Sequence, residues 1–268
     1  MAPPAEPGES RSGALQGRHV VVTRPAAQAG PFCAMLERAG ARVTRFPVIE
    51  IRGPADPAAL RAALEALAEF DVAVFVSANA VQRVVPEALA RGPWPAGLRV
   101  AAIGSRTARE LTAHGLPPDI VPESRFDSEA LLESAALQEV RGLRVMIFRG
   151  DGGREHLAGT LRARGAEVSY AEAYRRALPD LDPRPLRERM ERGAVDAITV
   201  TSGETLQNLV TLVGEAGQPA LLRTGLVVGA ERVAAMAREM GFLGDVVVAA
   251  DPTDAAMFQA VADWLGRG

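Results

Sequence analysis

The sequence predicts an α/β protein of two doubly wound parallel-sheet lobes, produced by tandem duplication and joined by a two-stranded linker. Three observations predict it. Short apolar, β-rich runs alternate with stretches of helical periodicity, the pattern of a parallel sheet covered by helices. One set of landmarks occurs twice in the chain. Two unusually long extended segments also stand at the same place in both copies.

The run His19-Val20-Val21-Val22-Thr23-Arg24 returns as Arg144-Val145-Met146-Ile147-Phe148-Arg149, 125 residues later. Ala39-Gly40-Ala41-Arg42-Val43 returns as Arg164-Gly165-Ala166-Glu167-Val168, Asp71 as Asp196, Ser77 as Ser202 and Gly104 as Gly229, all at that offset. Asp127 and Asp254 stand 127 apart, after two small insertions. Landmarks that hold register over so long a stretch mark a duplicated α/β unit.

In the first copy, strands are expected at 20–23, 43–51, 72–76, 100–103 and 120–121. Helices are expected near 28–39, 57–68, 80–90, 107–114 and 128–137, the last opened by Asp127 as its cap. Five strands with helices on both faces make each unit flavodoxin-like, with the ligand groove beyond the carboxyl ends of the strands. The segment 43–51 carries Pro47, which donates no N–H and suits an edge or a crossing segment. Its counterpart, 168–176, is equally long, and the two read as linker strands between lobes. The residues alone permit side-by-side domains, 18–138 and 143–268, after a disordered tail over 1–17.

Composition narrows the chemistry. Of 268 residues, 48% are hydrophobic and 24% charged, which supports a packed core. The net charge is −3 and aromatics are 4%, so there is neither a basic field nor enough rings for base stacking, and no nucleic-acid partner is expected. Lysine is absent: all 30 cationic side chains are Arg, which removes the Walker-A loop, Schiff-base chemistry and amine nucleophiles. The one cysteine, Cys33, has no disulfide partner, and His19, His114 and His156 stand at no metal spacing. The first 17 residues lack the apolar core of a signal peptide, and no stretch is long and apolar enough for a membrane span. A cytoplasmic protein without a membrane span or a metal cluster is expected.

At successive strand ends the chain places hydroxyls, small residues and helix starts: Thr23-Arg24-Pro25, Ser77-Ala78-Asn79 and Gly104-Ser105-Arg106-Thr107 in the first copy. The second copy has Arg149-Gly150-Asp151-Gly152-Gly153, Thr201-Ser202-Gly203 and Gly229-Ala230. Such residues cap helices, and each helix start also offers free N–H groups to a carboxylate or phosphate. Six similar turns favour a polyanionic ligand. The glycines after Arg149 miss the G-x-G-x-x-G spacing, and Asp151 would repel a pyrophosphate, so they read as a tight turn.

Tyr174, one of two tyrosines, stands in the second long segment beside Arg175-Arg176. It reads either as an amphipathic residue covering a domain edge or as a proton donor, since a phenol is protonated at neutral pH. His19 and His114 read as structural, Asp71 and Asp196 as turn residues and Cys33 as core.

Five motifs in order, Val21-Val22-Thr23-Arg24-Pro25, Phe75-Val76-Ser77-Ala78-Asn79-Ala80-Val81, Ala102-Ile103-Gly104-Ser105-Arg106-Thr107-Ala108, Ala173-Tyr174-Arg175-Arg176 and Thr199-Val200-Thr201-Ser202, resemble the uroporphyrinogen-III synthase family over about residues 18–265. No single motif is specific; their order and spacing are. The resemblance implies a cyclising hydro-lyase of tetrapyrrole biosynthesis that converts hydroxymethylbilane to uroporphyrinogen III and water, as a monomer without cofactor. It implies a discontinuous first lobe, 18–45 with 175–268, a second lobe over 48–172, and hinging between them. It also implies that Tyr174 bonds the departing hydroxyl and that Thr107 assists. Where the family often carries a second hydroxyl residue this chain has Arg232, which could bind a carboxylate. Thr23, Arg24, Ser77, Ala78, Asn79, Gly104, Ser105, Arg149, Gly150, Ser202, Gly203, Gly229 and Arg232 are the expected binding residues. The alternative is a non-catalytic bilobal tetrapyrrole-binding or sensor protein; a nucleotide-sugar transferase would need a carboxylate pair for metal that the chain does not display.

Overall fold

A computed structural model describes residues 13–122, 127–152 and 155–266, in which ten strands alternate with ten α-helices. The chain runs β1 (His19–Val22), α1 (Ala26–Arg38), β2 (Arg42–Arg45), β3 (Glu50–Arg52), α2 (Pro57–Glu65), β4 (Val72–Phe75), α3 (Ala78–Leu89), β5 (Arg99–Ala102), α4 (Ser105–Ala113) and α5 (Ser128–Glu133). It continues through β6 (Arg144–Gly150), α6 (His156–Ala163), β7 (Glu167–Ala177), α7 (Arg184–Glu191), β8 (Ala197–Val200), α8 (Gly203–Leu221), β9 (Leu226–Val228), α9 (Glu231–Glu239), β10 (Val246–Val248) and α10 (Asp254–Leu265).

Strand β1 takes partners from both ends of the chain, pairing in parallel with β2 and with β8. Its sheet is ordered β10-β9-β8-β1-β2, and the second sheet β3-β7-β6-β4-β5. The chain divides accordingly into two compact units: residues up to Glu50 with those from Ala177 onward, and Ile51–Arg176 between them.

Each unit buries a sheet with side chains on both faces, as parallel strands require. In the first, Val20 and Val22 of β1 pack with Phe32, Cys33 and Leu36 of α1 and with Met257 and Val261 of α10. In the second, strand residues alternate between two clusters. Val72, Val74, Val145 and Ile147 meet Leu131, Leu157 and Leu161 on one face. Ala73, Phe75, Met146 and Phe148 meet Val81, Val84 and Leu111 on the other. Phe75 and Phe148 stack at 5.0 Å between centroids in that second cluster. Truncating either ring to alanine removes about 3–5 kcal/mol.

The structure corrects several expected elements. The segment 43–51 is not one strand: β2 and β3 lie in different sheets, with Pro47 between them, a residue that cannot donate to a ladder. In the other long segment, residues 167–174 are laddered to β6. Residues 120–121, hemmed in by Pro117, Pro118 and Pro122, form only a bridge from Ile120 to Ala101. The helix expected at 128–137 ends at Glu133 and resumes as a 3-10 turn at Ala135–Leu137; that at 57–68 likewise gives way to Leu67–Glu69. Helices α1, α3 and α4 start two residues before their expected positions, because Pro25, Ser77 and Gly104 are their caps. Of the tail expected over 1–17, residues 1–12 lie outside the described residues, whereas Leu15 is fully buried and its N–H donates to Ala39 at 2.8 Å.

Candidate active site

In the second unit, a bulge brings the expected tyrosine to a strand end. Strands β6 and β7 pair in register up to Arg149 opposite Glu172, then slip so that Gly150 faces Tyr174. Gly150 lets the ring approach closely: a Cβ would stand 3.0 Å from Tyr174 Cζ and 3.3 Å from its oxygen. Tyr174 is 4% exposed, packed among Phe75, Phe148 and Leu111.

Ser77, at the end of β4, accepts the Ala80 N–H at 3.2 Å as the cap of α3 and donates its own proton to the Tyr174 oxygen at 3.1 Å. The direction matters. With Ser77 as donor, the phenol keeps its own proton uncommitted, since no described residue accepts it. Ala78 and Asn79 follow in the first turn of α3, Ala78 buried and Asn79 half-buried.

At the end of β5, Gly104 caps α4 without a side-chain bond, and the first turn of α4 contains no acidic residue. The positive end of this helix is therefore undiminished. Ser105 is exposed. Thr107 is 4% exposed, and its hydroxyl has no hydrogen-bond partner among the described residues. It is an unspent donor beside unspent backbone N–H groups.

Arg149 lies on the opposite face of the sheet from Gly150, as successive strand residues must. Its guanidinium stacks 4.2 Å from the centre of Tyr170 and donates to Glu155 at 2.9 Å, and Tyr170 Oη donates to the other Glu155 oxygen at 2.7 Å. These hydrogen bonds, Tyr170's foremost, hold the Glu155 carboxyl below its ordinary range, while burial and the Glu155 bond push the Tyr170 phenol up. A pocket of about 320 Å³ opens beside the pair over Val76, Ile103, Ile147 and Leu157. Glu155 and Tyr170 were not expected from the sequence. The one available signal was that Tyr170 is the chain's only other tyrosine.

In the first unit the expected residues are more committed. Thr23 is 1% exposed and its hydroxyl donates to the Thr199 carbonyl at 2.6 Å. Arg24 pairs with Asp254, donates to the Pro252 carbonyl at 2.9 Å and lies over the Phe32 ring, tying β1 to the start of α10. Ser202 caps α8 through the Thr205 N–H, with Gly203 next to it. Gly229 admits no side chain, because a Cβ would stand 2.8 Å from Pro252 and 3.2 Å from the Thr201 carbonyl. Arg232, in the first turn of α9, is exposed and pairs with no described residue.

The residues read as structural are held by local contacts. His19 bridges the Ala194 carbonyl and Thr44 Oγ1 at 2.7 and 2.8 Å. His114 ends α4 beside Glu110, and Asp127 caps α5 through the Ala130 N–H. Cys33 is buried, and burial pushes its thiol up. No group of three or more His, Cys, Asp or Glu among the described residues could hold a metal ion, and no described helix is long and apolar enough to cross a membrane. Gly153 lies outside the described residues.

Fold and site together define a mixed α/β protein of parallel sheets whose hydroxyls, arginines and open helix starts collect at the carboxyl ends of the strands. The family model described as "Uroporphyrinogen-III synthase HemD" matches residues 31–259. Uroporphyrinogen-III synthase of Salmonella typhimurium is 37% identical over 246 residues, 90% of this chain and 99% of that one. The Escherichia coli K12 protein is 34% identical over 244 residues, with the same coverage. The crystal structure of a mutant uroporphyrinogen III synthase from the extremely thermophilic bacterium Thermus thermophilus superposes with a TM-score of 0.59 at 25% identity, covering 94% of this chain and all of that one. The chain belongs to the uroporphyrinogen-III synthase family.

Proposed function

We propose that this chain closes hydroxymethylbilane to uroporphyrinogen III with loss of water, as a monomer in the cytoplasm and without a metal or organic cofactor. Family membership across residues 31–259 is the observation that carries the reading. The terminal hydroxyl of the linear tetrapyrrole leaves to give an azafulvene. Ring D attacks through its substituted carbon, and the resulting spiro intermediate fragments and recloses with ring D inverted. Without the enzyme, closure gives the uninverted isomer, so the protein's main task is to hold the chain ends in the productive orientation.

Tyr174 donates its phenol proton to the departing hydroxyl. The Ser77 bond supports this role, because it fixes the phenol oxygen without consuming the phenol's own proton. Thr107 and the open start of α4 bind or assist, while Ala78, Asn79, Gly104, Ser105 and Gly150 shape the same strand ends. In the other unit Ser202, Gly203 and Arg232 contribute carboxylate contacts, Gly229 shapes the strand end beside them, and Arg24 positions α10. The two units descend from one duplicated, flavodoxin-like α/β unit whose first strands have been exchanged, and the chain crosses between them at 50–51 and 176–177. The eight carboxylates of the bilane are met by arginine and backbone N–H groups, since the chain has no lysine.

Product analysis tests the reading. Fresh hydroxymethylbilane is incubated with and without the protein, oxidised, and the porphyrin isomers separated. Dominant type III is expected; type I alone at the uncatalysed rate would overturn it.

A further inference from the structure

The contact among Arg149, Tyr170 and Glu155 has the form of an occupied carboxylate site. Two donors on a rigid wall each take one oxygen of a single carboxylate, at 2.9 and 2.7 Å. The wall is well held. Arg149 has 20% of its side chain exposed and is stacked on Tyr170, whose ring also has Arg162 at 5.5 Å. The occupant is not: the Glu155 side chain is 65% exposed, at the start of α6. Exposed ion pairs are weak, so a second carboxylate can take the place of Glu155 at little cost.

The pocket beside this pair has an aliphatic floor of Val76, Ile103, Ile147 and Leu157 and a volume of about 320 Å³. That is room for a small ring that bears acidic arms. Asp127, the acidic residue that lines the pocket, already has a carboxylate oxygen on the Ala130 N–H at 2.7 Å. An apolar floor with a carboxylate clamp at its edge matches one pyrrole ring of a carboxylated bilane.

We propose that Arg149 and Tyr170 form a subsite for one pyrrole carboxylate of the substrate, and that Glu155 occupies this subsite as an internal competitor which the substrate displaces. The proposal rests on the function given above. It makes Glu155 a residue that limits affinity, so that removing its charge tightens binding.

The test is a double-mutant cycle on KM for hydroxymethylbilane. Glu155→Gln is expected to lower KM about two- to five-fold, the range of a weak surface ion pair. Arg149→Gln is expected to raise it about tenfold, the factor carried by a typical charge-assisted hydrogen bond. In the Arg149→Gln background, Glu155→Gln is expected to change nothing further, because the competitor has lost its site. An unchanged or raised KM in Glu155→Gln, or the same gain in both backgrounds, would overturn the proposal. NMR titration with a monopyrrole bearing one acetate and one propionate reads the subsite apart from catalysis. Tighter binding in Glu155→Gln but not in the double variant supports it even if no type III product forms, in which case the synthase reading alone falls. No response of the Arg149 and Tyr170 signals to the monopyrrole would remove the subsite.

Discussion

The carboxylate of Asp196 accepts the backbone N–H of His19 at 2.7 Å, across 177 residues of sequence. Asp71 does the same for the N–H of Arg144, also at 2.7 Å. In each sheet an aspartate just before one strand closes the first N–H of its neighbour, which the parallel ladder leaves unpaired. The two pairs mirror each other: Asp71, just before β4, serves the strand that opens at Arg144, and Asp196, just before β8, serves the strand that opens at His19. Asp71→Ala and Asp196→Ala are each expected to lose about 1–3 kcal/mol of stability, read as a lower urea midpoint at constant slope.

Tyr174→Phe removes a proton donor and leaves the packed ring in place. Turnover to type III porphyrin is expected to fall about 100-fold or more, with little change in melting temperature. Full activity with an unchanged isomer ratio would rule out the proton-donor role. Ser77→Ala is expected to cost about 1 kcal/mol, because Ser77 also caps α3.

Gly150→Ala forces a methyl group against a ring only 3.0 Å away. The expected cost is about 1–3 kcal/mol, accompanied by a drop in turnover as Tyr174 is displaced from Ser77. Normal stability together with normal turnover would show that the ring yields freely.

Thr107→Val separates chemistry from stability. The threonine hydroxyl bonds to no described residue, so thermal unfolding is expected to shift little. A drop in turnover of about tenfold would then report a lost contact to substrate. Unaltered turnover would leave Thr107 outside the reaction.

The Glu155–Tyr170 contact sets two pH limits of opposite sign. Tyr170 has its folded value raised, so its contribution is complete below the ordinary phenol range and is lost as pH rises through the folded value. Glu155 has its value lowered, so its contribution is present above the ordinary carboxyl range and is lost as pH falls through the folded value. Absorbance at the tyrosinate band is expected to show Tyr170 ionising late, and earlier in Glu155→Gln. Burial alone would then keep it above the ordinary value. An identical titration in the variant would show that the contact is absent in solution.

Local chemistry explains why so much of the fold could be read from sequence. Strand-forming Val runs and helix starts at Ser77 and Asp127 are signals confined to a few neighbouring residues. Ser77 and Tyr174 were legible as candidates for the same reason, one by its place after a strand and the other by its rarity. Which strands join which sheet was not legible from hydrophobicity: all four positions of β1 are buried, a pattern that does not name β8 as its neighbour. Family resemblance, not periodicity, suggested the exchange.

What the sequence alone determined is the alternation of elements, the recurrence of landmarks at a fixed offset and the kind of side chain at each strand end. Tertiary structure decided the direction in which two tyrosines face. Tyr170 and Tyr174 are four apart, and a regular strand would put both on one face. The slip after Arg149 sends Tyr174 to the face of Ser77 and Phe148 and leaves Tyr170 with Arg149 on the other. A bulge is a property of two strands pairing, and here it brings the ring against a glycine 24 residues away in sequence. No pattern within β7 encodes it.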